Sequence, residues 1–292
     1  MIVQNALQIV QTSSPTPKLD RLSALLGGVA PRVRVMQVTT GEHLLLFPAE
    51  PSRGLWLHLV LNAKAVVRTD QGVNLQAVAP AMVICRADVP HDLSRARTDQ
   101  ASSGDLLCVR AHLDGPVTPL LLAEFERPMV VPLANADPSL QQVIALMRAE
   151  LNQPRCGQPL LLDRAGDILF IGLLRHLLAH PSGAGGLFHG LSDPRIAGAL
   201  VALHTEPEAD WCLETMAKRS GMSRTAFANR FREALDTTPG KYLAQLRLAI
   251  AQRAVASGDD LKTAARRAGY TNASALSRTL SKARAQEEAD AT

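Results

Sequence analysis

Two stretches of this chain repeat one short pattern, and that repeat limits what its C-terminal third can become. Residues 213–223, LETMAKRSGMS, read as a short helix, a turn at Gly221 and a second helix capped by Ser223. Residues 261–270, LKTAARRAGY, repeat the first helix and the turn, with Gly269 in place of Gly221. Ala217 and Ala265 stand four residues before those glycines, where two crossing helices need a small side chain. A tight turn built on glycine between two short helices is the helix-turn-helix arrangement. In the first unit Phe227 and Phe231, spaced i and i+4, turn one face of the second helix inward. Arg224, Thr225, Ala228, Asn229 and Arg232 are left on the other face, which suits the major groove of DNA.

Charge supports the same division. The 292 residues carry 31 Lys and Arg against 27 Asp and Glu, a net of only +4. Residues 1–190 are close to neutral, with 16 basic and 15 acidic side chains. Residues 211–286 hold 14 basic and 5 acidic side chains, a net of +9. A basic module beside a neutral one is expected where one domain meets a polyanion. With 47% apolar residues the chain can build real cores, and no apolar run reaches the ~18 residues of a membrane span. The N-terminus has no basic region ahead of an apolar core, so no secretory signal is expected. Cys85, Cys108, Cys156 and Cys212 form no CxxC pair, and a reducing cytoplasm is the expected home.

The pattern changes along the chain. Residues 1–18 read as a loose arm, with Ser13, Ser14, Pro15 and Pro17 against regular structure. A short helix over 18–26 is expected to end at Gly27 and Gly28. Residues 31–132 alternate as short strands, among them 44–47, 56–61, 65–68, 81–85 and 106–112, divided by Gly and Pro turns. That spacing predicts a β-sandwich or a barrel, and a barrel would leave no exposed edge. Helical spacing follows over 138–151, with Asp137 as N-cap, and over 160–179. These two helices either form a dimer face or cover the barrel. Gly183, Gly185, Gly186 and Gly190 make 181–192 the expected linker. Helices are then expected over 194–204, 213–220, 223–235, 239–257, 261–268 and 272–285. The predicted class is α+β: an N-terminal β-barrel domain over 1–180 with flanking helices, then an all-α double helix-turn-helix domain over 193–292. The helix joining the two units, about 18 residues, would span roughly 27 Å. With the docked helices added, that could set two recognition helices about one DNA turn apart, roughly 34 Å.

The segments WCLETMAKRSGMSRTAFANRFREALDTTPGKYLAQLRLAIAQRAV and LKTAARRAGYTNASALSRTLSK resemble the DNA-binding domain of the AraC/XylS family of transcription regulators. Ala217, Gly221, Met222, Ser223, Phe227, Phe231, Pro239, Tyr242 and Leu243 fall on its pattern positions. The segments WLHLVLNAKAVVRTDQG, VPHDL, LLCVRAHLDGPVTPLL and DPRIAGAL are similar, less specifically, to the cupin-type sensor domain of one branch of that family. The resemblance implies Thr225 and Asn229 as base readers of the first unit, and Ser274 and Arg278 as those of the second. Arg224, Arg232, Lys241 and Lys282 would meet phosphates, with Ser223 at the start of the first reading helix. It also implies double-stranded DNA as partner, a homodimer, a small-molecule or oxidant effector, and RNA polymerase as a further partner.

The second unit departs from the family. It has Ala264 and Ala268 where bulky residues are usual, and Leu276 and Leu280 where aromatics are usual. The closing proline and Tyr-Arg pair are missing, so that unit is expected to be marginal or displaced, each lost core group costing about 1 kcal/mol or more. Cys212 replaces the usual Ser or Thr cap, a weaker start by about 0.5–2 kcal/mol.

In the sensor half, His58 and His91 match histidines of the cupin pattern and mark a candidate pocket. The second histidine and the acid of the cupin metal motif are missing, and His43 and His112 are only distant candidates. Two imidazoles are too few for a closed site, so neither metal nor cofactor is expected. Cys85 and Cys108 read either as small buried hydrophobes or as a redox switch, with Arg86 available to lower the Cys85 pKa. The competing functions are a metal-dependent cupin enzyme with a helical accessory domain, and a regulator whose degenerate second unit makes it act through a partner.

Overall fold

The computed structural model describes residues 20–37, 44–51, 53–62, 64–95, 106–134, 136–183 and 185–290. The predicted N-terminal arm and His43 lie outside the described residues. Helix α1 (Arg21–Val29) opens the described chain, its first turn held by Asp20, which accepts from the Ser23 N–H at 2.9 Å. Strands β1 (Pro31–Gln37), β2 (Leu44–Phe47), β3 (Gly54–Val60), β4 (Lys64–Thr69), β5 (Asn74–Val78), β6 (Ala81–Arg86), β7 (His91–Arg95) and β8 (Leu106–Leu113) follow. Helix α2 (Thr118–Ala123) and strand β9 (Met129–Pro132) complete this half.

The strands make two antiparallel sheets, ordered β1-β8-β3-β6-β9 and β2-β7-β4-β5. Among the described residues they do not join into the predicted closed barrel. Strand β3 explains the layering. All seven of its residues are buried, so it has an apolar neighbour on each face. Leu55, Leu57 and Leu59 face the helices, within a core that includes Leu25, Leu169 and Phe170. Trp56 and Val60 face the second sheet, with Val67, Val83, Cys85, Leu93 and Cys108.

Strands β5, β7 and β9 and helix α2 escaped the sequence reading. HDLSR has a single apolar side chain, Leu93, too few to announce a strand. Helices α3 (Pro138–Asn152) and α4 (Gln158–Ala179) match expectation, and Asp137 accepts from the Ser139 N–H at 2.8 Å. The buried face of α4 is set by Leu162, Leu169, Phe170, Leu173 and Leu177, whereas Ile168 is exposed.

Seven helices complete the described residues: α5 (Leu187–Ser192), α6 (Ala197–Thr205), α7 (Leu213–Arg219), α8 (Arg224–Leu235), α9 (Pro239–Ala256), α10 (Leu261–Arg267) and α11 (Ala273–Asp290). Helix α5 occupies part of the expected linker, and its Leu187, Phe188 and Leu191 are buried. Glu124 of the sheet half accepts from the Leu187 N–H at 2.5 Å, and Arg21 donates to the Leu191 carbonyl at 2.9 Å. Arg253 on α9 pairs with Asp114. One apolar cluster runs from Leu25 and Leu113 through α4 and α5 to Phe231 and Leu246.

Candidate functional site

The first helix-turn-helix unit is α7, the turn at Gly221 and α8. Cys212 stands at the N-cap of α7, and the Thr215 hydroxyl accepts from the Cys212 N–H at 2.9 Å. That bond supplies half of a capping box despite the sulfur. Gly221 has φ +62°, a left-handed conformation that favours glycine. The Met222 N–H returns to the Ala217 carbonyl at 3.0 Å and closes the turn. The Ser223 hydroxyl accepts from the Ala226 N–H at 3.3 Å and starts α8. Phe227, Phe231 and Leu235 are buried, and Phe231 meets Tyr242 edge-on with ring centroids 5.7 Å apart. Ser223, Arg224, Thr225, Asn229 and Arg232 are exposed together. Arg224, Thr225, Ala228 and Asn229 line a surface groove with Cys212, Leu213 and Glu214.

The second unit, α10 and α11, is folded onto α9 and not displaced from it. Asp260 caps α10 by accepting from the Thr263 N–H at 2.7 Å, and Asn272 accepts from the Ala275 N–H at 2.8 Å. Its core is small: Ala251, Ala254, Ala264, Ala265, Ala268 and Leu276, with Leu280 partly buried against them. Alanines let α9 and α10 approach closely where the family would use larger groups. Ser274, Arg278 and Lys282 are exposed on α11. Lys241 is exposed at the first turn of α9, and it lines a cleft with Glu124 and Leu187 of the opposite wall.

The sensor interior brings together four residues that the sequence offered as two separate pairs. His58 on β3 stands directly across from Cys108 on β8, and its Nδ1 lies 3.1 Å from Cys108 Sγ. On the other side of β3, Cys85 of β6 pairs in register with Trp56. His91 enters from the second sheet, its Nε2 2.9 Å from His58 Nε2. The ligand atoms of His58, Cys85 and His91 all lie within 4.8 Å of one another, and all three residues are buried. His112 lies four residues beyond Cys108 on β8 and is outside this group.

Burial holds the pKa of His58 well below the usual histidine value, with a smaller effect from His91, and burial also lowers that of His91. Both imidazoles are therefore neutral at pH 7. Arg86 does not lower the Cys85 pKa. Arg86 turns to Asp88, its Nε donating at 2.8 Å, while burial pushes the Cys85 thiol up to about 12. Cys85 and Cys108 also flank β3 on opposite sides, two strand spacings apart or about 9–10 Å. That separation is beyond the ~7 Å Cα limit of a disulfide, so the two thiols do not bridge in this arrangement.

A cupin-domain family model matches residues 20–179, more than half of the chain, and a helix-turn-helix domain model matches residues 216–285. The chain belongs to the AraC/XylS family of regulators, with a cupin-type N-terminal domain. Relatives include the HTH-type transcriptional regulator AlkR of Acinetobacter baylyi, 28% identical over 194 residues, or 64% of this chain and 62% of that one. A Streptomyces lividans protein described as an AraC-like transcription regulator is 30% identical over 141 residues, 48% of this chain and 46% of its own. The chain thus spans about half to three-fifths of the length of these relatives. Among solved structures, ToxT of Vibrio cholerae aligns over 86% of this chain and 92% of its own at 10% identity, with a TM-score of 0.34. The DNA-binding domain of AdpA, solved in complex with a target DNA, aligns over 30% of this chain and 79% of its own at 32% identity, with a TM-score of 0.28.

The AraC-type motif located the turns and caps but missed the residues that anchor them. Arg230, on α8, donates to Asp193 at 2.6 Å and so is turned away from the face that Thr225 and Asn229 expose. Asp193 accepts from the Arg195 N–H at 2.8 Å, so one carboxylate holds both the turn before α6 and α8. His204 Nε2 lies 2.6 Å from the Tyr242 hydroxyl. Burial lowers the His204 pKa to about 4 and raises that of Tyr242. Cupin enzymes use a carboxylate with histidines to hold a metal, and among the described residues no carboxylate joins the cluster around His58.

Proposed function

We propose that this chain is a sequence-specific, DNA-binding transcription regulator whose cupin-type domain senses a small-molecule or redox signal. It acts in the cytoplasm as a homodimer on double-stranded DNA, with RNA polymerase as its downstream partner, and not as an enzyme. The observation that carries this reading is α8, whose Phe227 and Phe231 are buried while Arg224, Thr225, Asn229 and Arg232 are exposed on one capped helix. A rigid helix with a polar, basic outer face can enter the major groove, and Thr225 and Asn229 are of suitable length to touch base edges. Ser274 and Arg278 take that role on α11. Arg224, Arg232 and Lys282 bind phosphates, and Lys241 does so from the margin of the cleft it shares with Glu124. Leu146 on α3 with Leu160 and Ile168 on α4, all exposed, supply the dimer surface. Residues 1–180 form the sensor and dimerisation domain and 193–292 the DNA-binding domain, joined through 181–192.

Selection of bound sequences from a random DNA pool tests this reading. A defined motif is expected, with binding that falls about 10³–10⁵-fold between 50 and 200 mM salt if 6–10 phosphates are neutralised. Recovery of no preferred sequence would refute it. The alanine core of α10 and α11 favours one variation, in which the first unit supplies most of the affinity. Gel-shift measurements with Arg278→Ala against Asn229→Ala separate the two contributions.

A further inference from the structure

We propose that His58, Cys85 and His91 form a binding site for a single soft or borderline d¹⁰ metal ion, Cu⁺ or Zn²⁺, which ties the two sheets of the sensor domain together. The donor types are the first argument. Two imidazoles and one thiolate select Cu⁺ or Zn²⁺ over hard ions such as Mg²⁺ and Ca²⁺, which take oxygen ligands. Placement is the second. His58 and Cys85 point from neighbouring strands of the five-stranded sheet, and His91 meets them from the other sheet. Alternation along β3 and β6 sends both side chains to the same interior.

The hydrogen bonds are the third argument. The Val89 carbonyl can only accept, so His91 Nδ1 donates to it at 3.0 Å. That bond leaves Nε2 of neutral His91 with a lone pair aimed at the cluster. In the protein alone, His58 Nε2–H fills that direction at 2.9 Å, and His58 Nδ1 then accepts from the Cys108 thiol at 3.1 Å. A backbone carbonyl behind one imidazole and a side chain behind the other are the outer-shell supports that orient metal-binding histidines. Phe47, stacked on His91 with centroids 4.9 Å apart and 4.5 Å from His58, supplies an apolar wall.

The protons balance simply. His58 shifts its proton from Nε2 to Nδ1, where Cys108 sulfur becomes the acceptor. Cys85 gives its thiol proton to solvent and becomes the thiolate ligand. Two Nε2 atoms and one Sγ then face the ion, with one proton released and no change of oxidation state. Cys108 is a positioning residue in this scheme and not a ligand.

The test uses the full chain, reduced, with exposed Cys156 and Cys212 replaced by serine to remove adventitious thiols. Cu⁺ and Zn²⁺ are titrated separately against a competing chelator, and bound metal is counted by mass spectrometry. One equivalent of at least one ion is expected, and the ratio of the two affinities identifies which it is. Co²⁺ loading should give a thiolate charge-transfer band that is absent in Cys85→Ala. Cys85→Ala and His91→Ala should abolish stoichiometric binding, while Cys108→Ala should keep the stoichiometry and weaken affinity about 10–100-fold. Unchanged thermal melting of the metal-free variants shows that they fold. Failure of both ions to bind in the parent chain overturns the proposal. So does binding that survives Cys85→Ala, or a Co²⁺ complex with no thiolate band.

Discussion

Replacing each turn glycine by alanine should separate two costs that the sequence repeat makes look alike. Gly221 has φ +62° and Gly269 φ +71°, so both substitutions force a side chain into the left-handed region. That strain costs about 1–2 kcal/mol for a non-glycine residue. Around Gly221 a new Cβ meets nothing within 4 Å, so the strain is the whole cost. Around Gly269 it would stand 2.8 Å from the Glu208 Cα and 2.9 Å from Arg247 Nε and Nη2. Arg247 cannot simply swing away, because its Nε donates to the Pro207 carbonyl at 2.9 Å and its Nη2 to the Ala209 carbonyl at 2.7 Å. Hydrogen bonds from a charged donor contribute about 1.5–3 kcal/mol each, and the half-exposed guanidinium regains part of that from water. Gly269→Ala should therefore cost about 3–5 kcal/mol against about 1–2 for Gly221→Ala. Urea unfolding followed by circular dichroism gives both numbers. In an Arg247→Ala background the excess at Gly269 should shrink, leaving the part due to the Glu208 backbone. Equal costs at the two glycines would refute the packing described here for the second unit.

Other expectations follow from single contacts. Asn229→Ala should relax preference at one or two base pairs by about 1–3 kcal/mol in quantitative binding assays, whereas Arg224→Ala should weaken all sequences alike and reduce the salt slope by about 1. Phe231→Ala removes a fully buried ring between Phe227 and Tyr242 and should cost about 3–5 kcal/mol in equilibrium unfolding. Burial lowers the His204 pKa to about 4, below the ~6.5 of an unfolded histidine. The unfolded chain then binds the extra proton first, so stability is constant above about pH 6.5 and falls as pH drops from 6.5 towards 4, by on the order of 3 kcal/mol. Thermal melts across that window should show the fall, and His204→Gln should make it shallower, leaving the part due to buried His58 and His91.

The C-terminal third was legible because its signals are local. A glycine, its preceding alanine, a cap and two phenylalanines lie within fifteen residues, and each reports a backbone conformation directly. Residues 56–60 and 81–85 were also legible as strands, since buried strands read as apolar runs. The convergence at His58 was not legible. His58 and His91 are 33 positions apart and meet only through the pairing of β2, β4 and β7 opposite β3, while Cys108 reaches His58 through the β3–β8 register. Alternation along 56, 58 and 60 and along 81, 83 and 85 already placed His58 and Cys85 on one kind of face. The missing information was which strands are neighbours. The Arg86 expectation fails for a local reason: next to Cys85 in sequence, Arg86 stands on the opposite face of β6. For 187–192, four glycines nearby outweighed three apolar residues whose partners, on α4 and α8, lie far away in the chain.

On the proposed function, two helix-turn-helix units, joined by the 18 residues of α9, read DNA together. Hydroxyl-radical footprinting of the full chain on its selected sequence tests it most directly. For each protomer, two protected segments about 10–10.5 base pairs apart, one turn of the duplex, are expected. Asn229→Ala should weaken one of them and Arg278→Ala the other. Uniform protection with no preferred sequence, or a footprint that neither substitution alters, would contradict it.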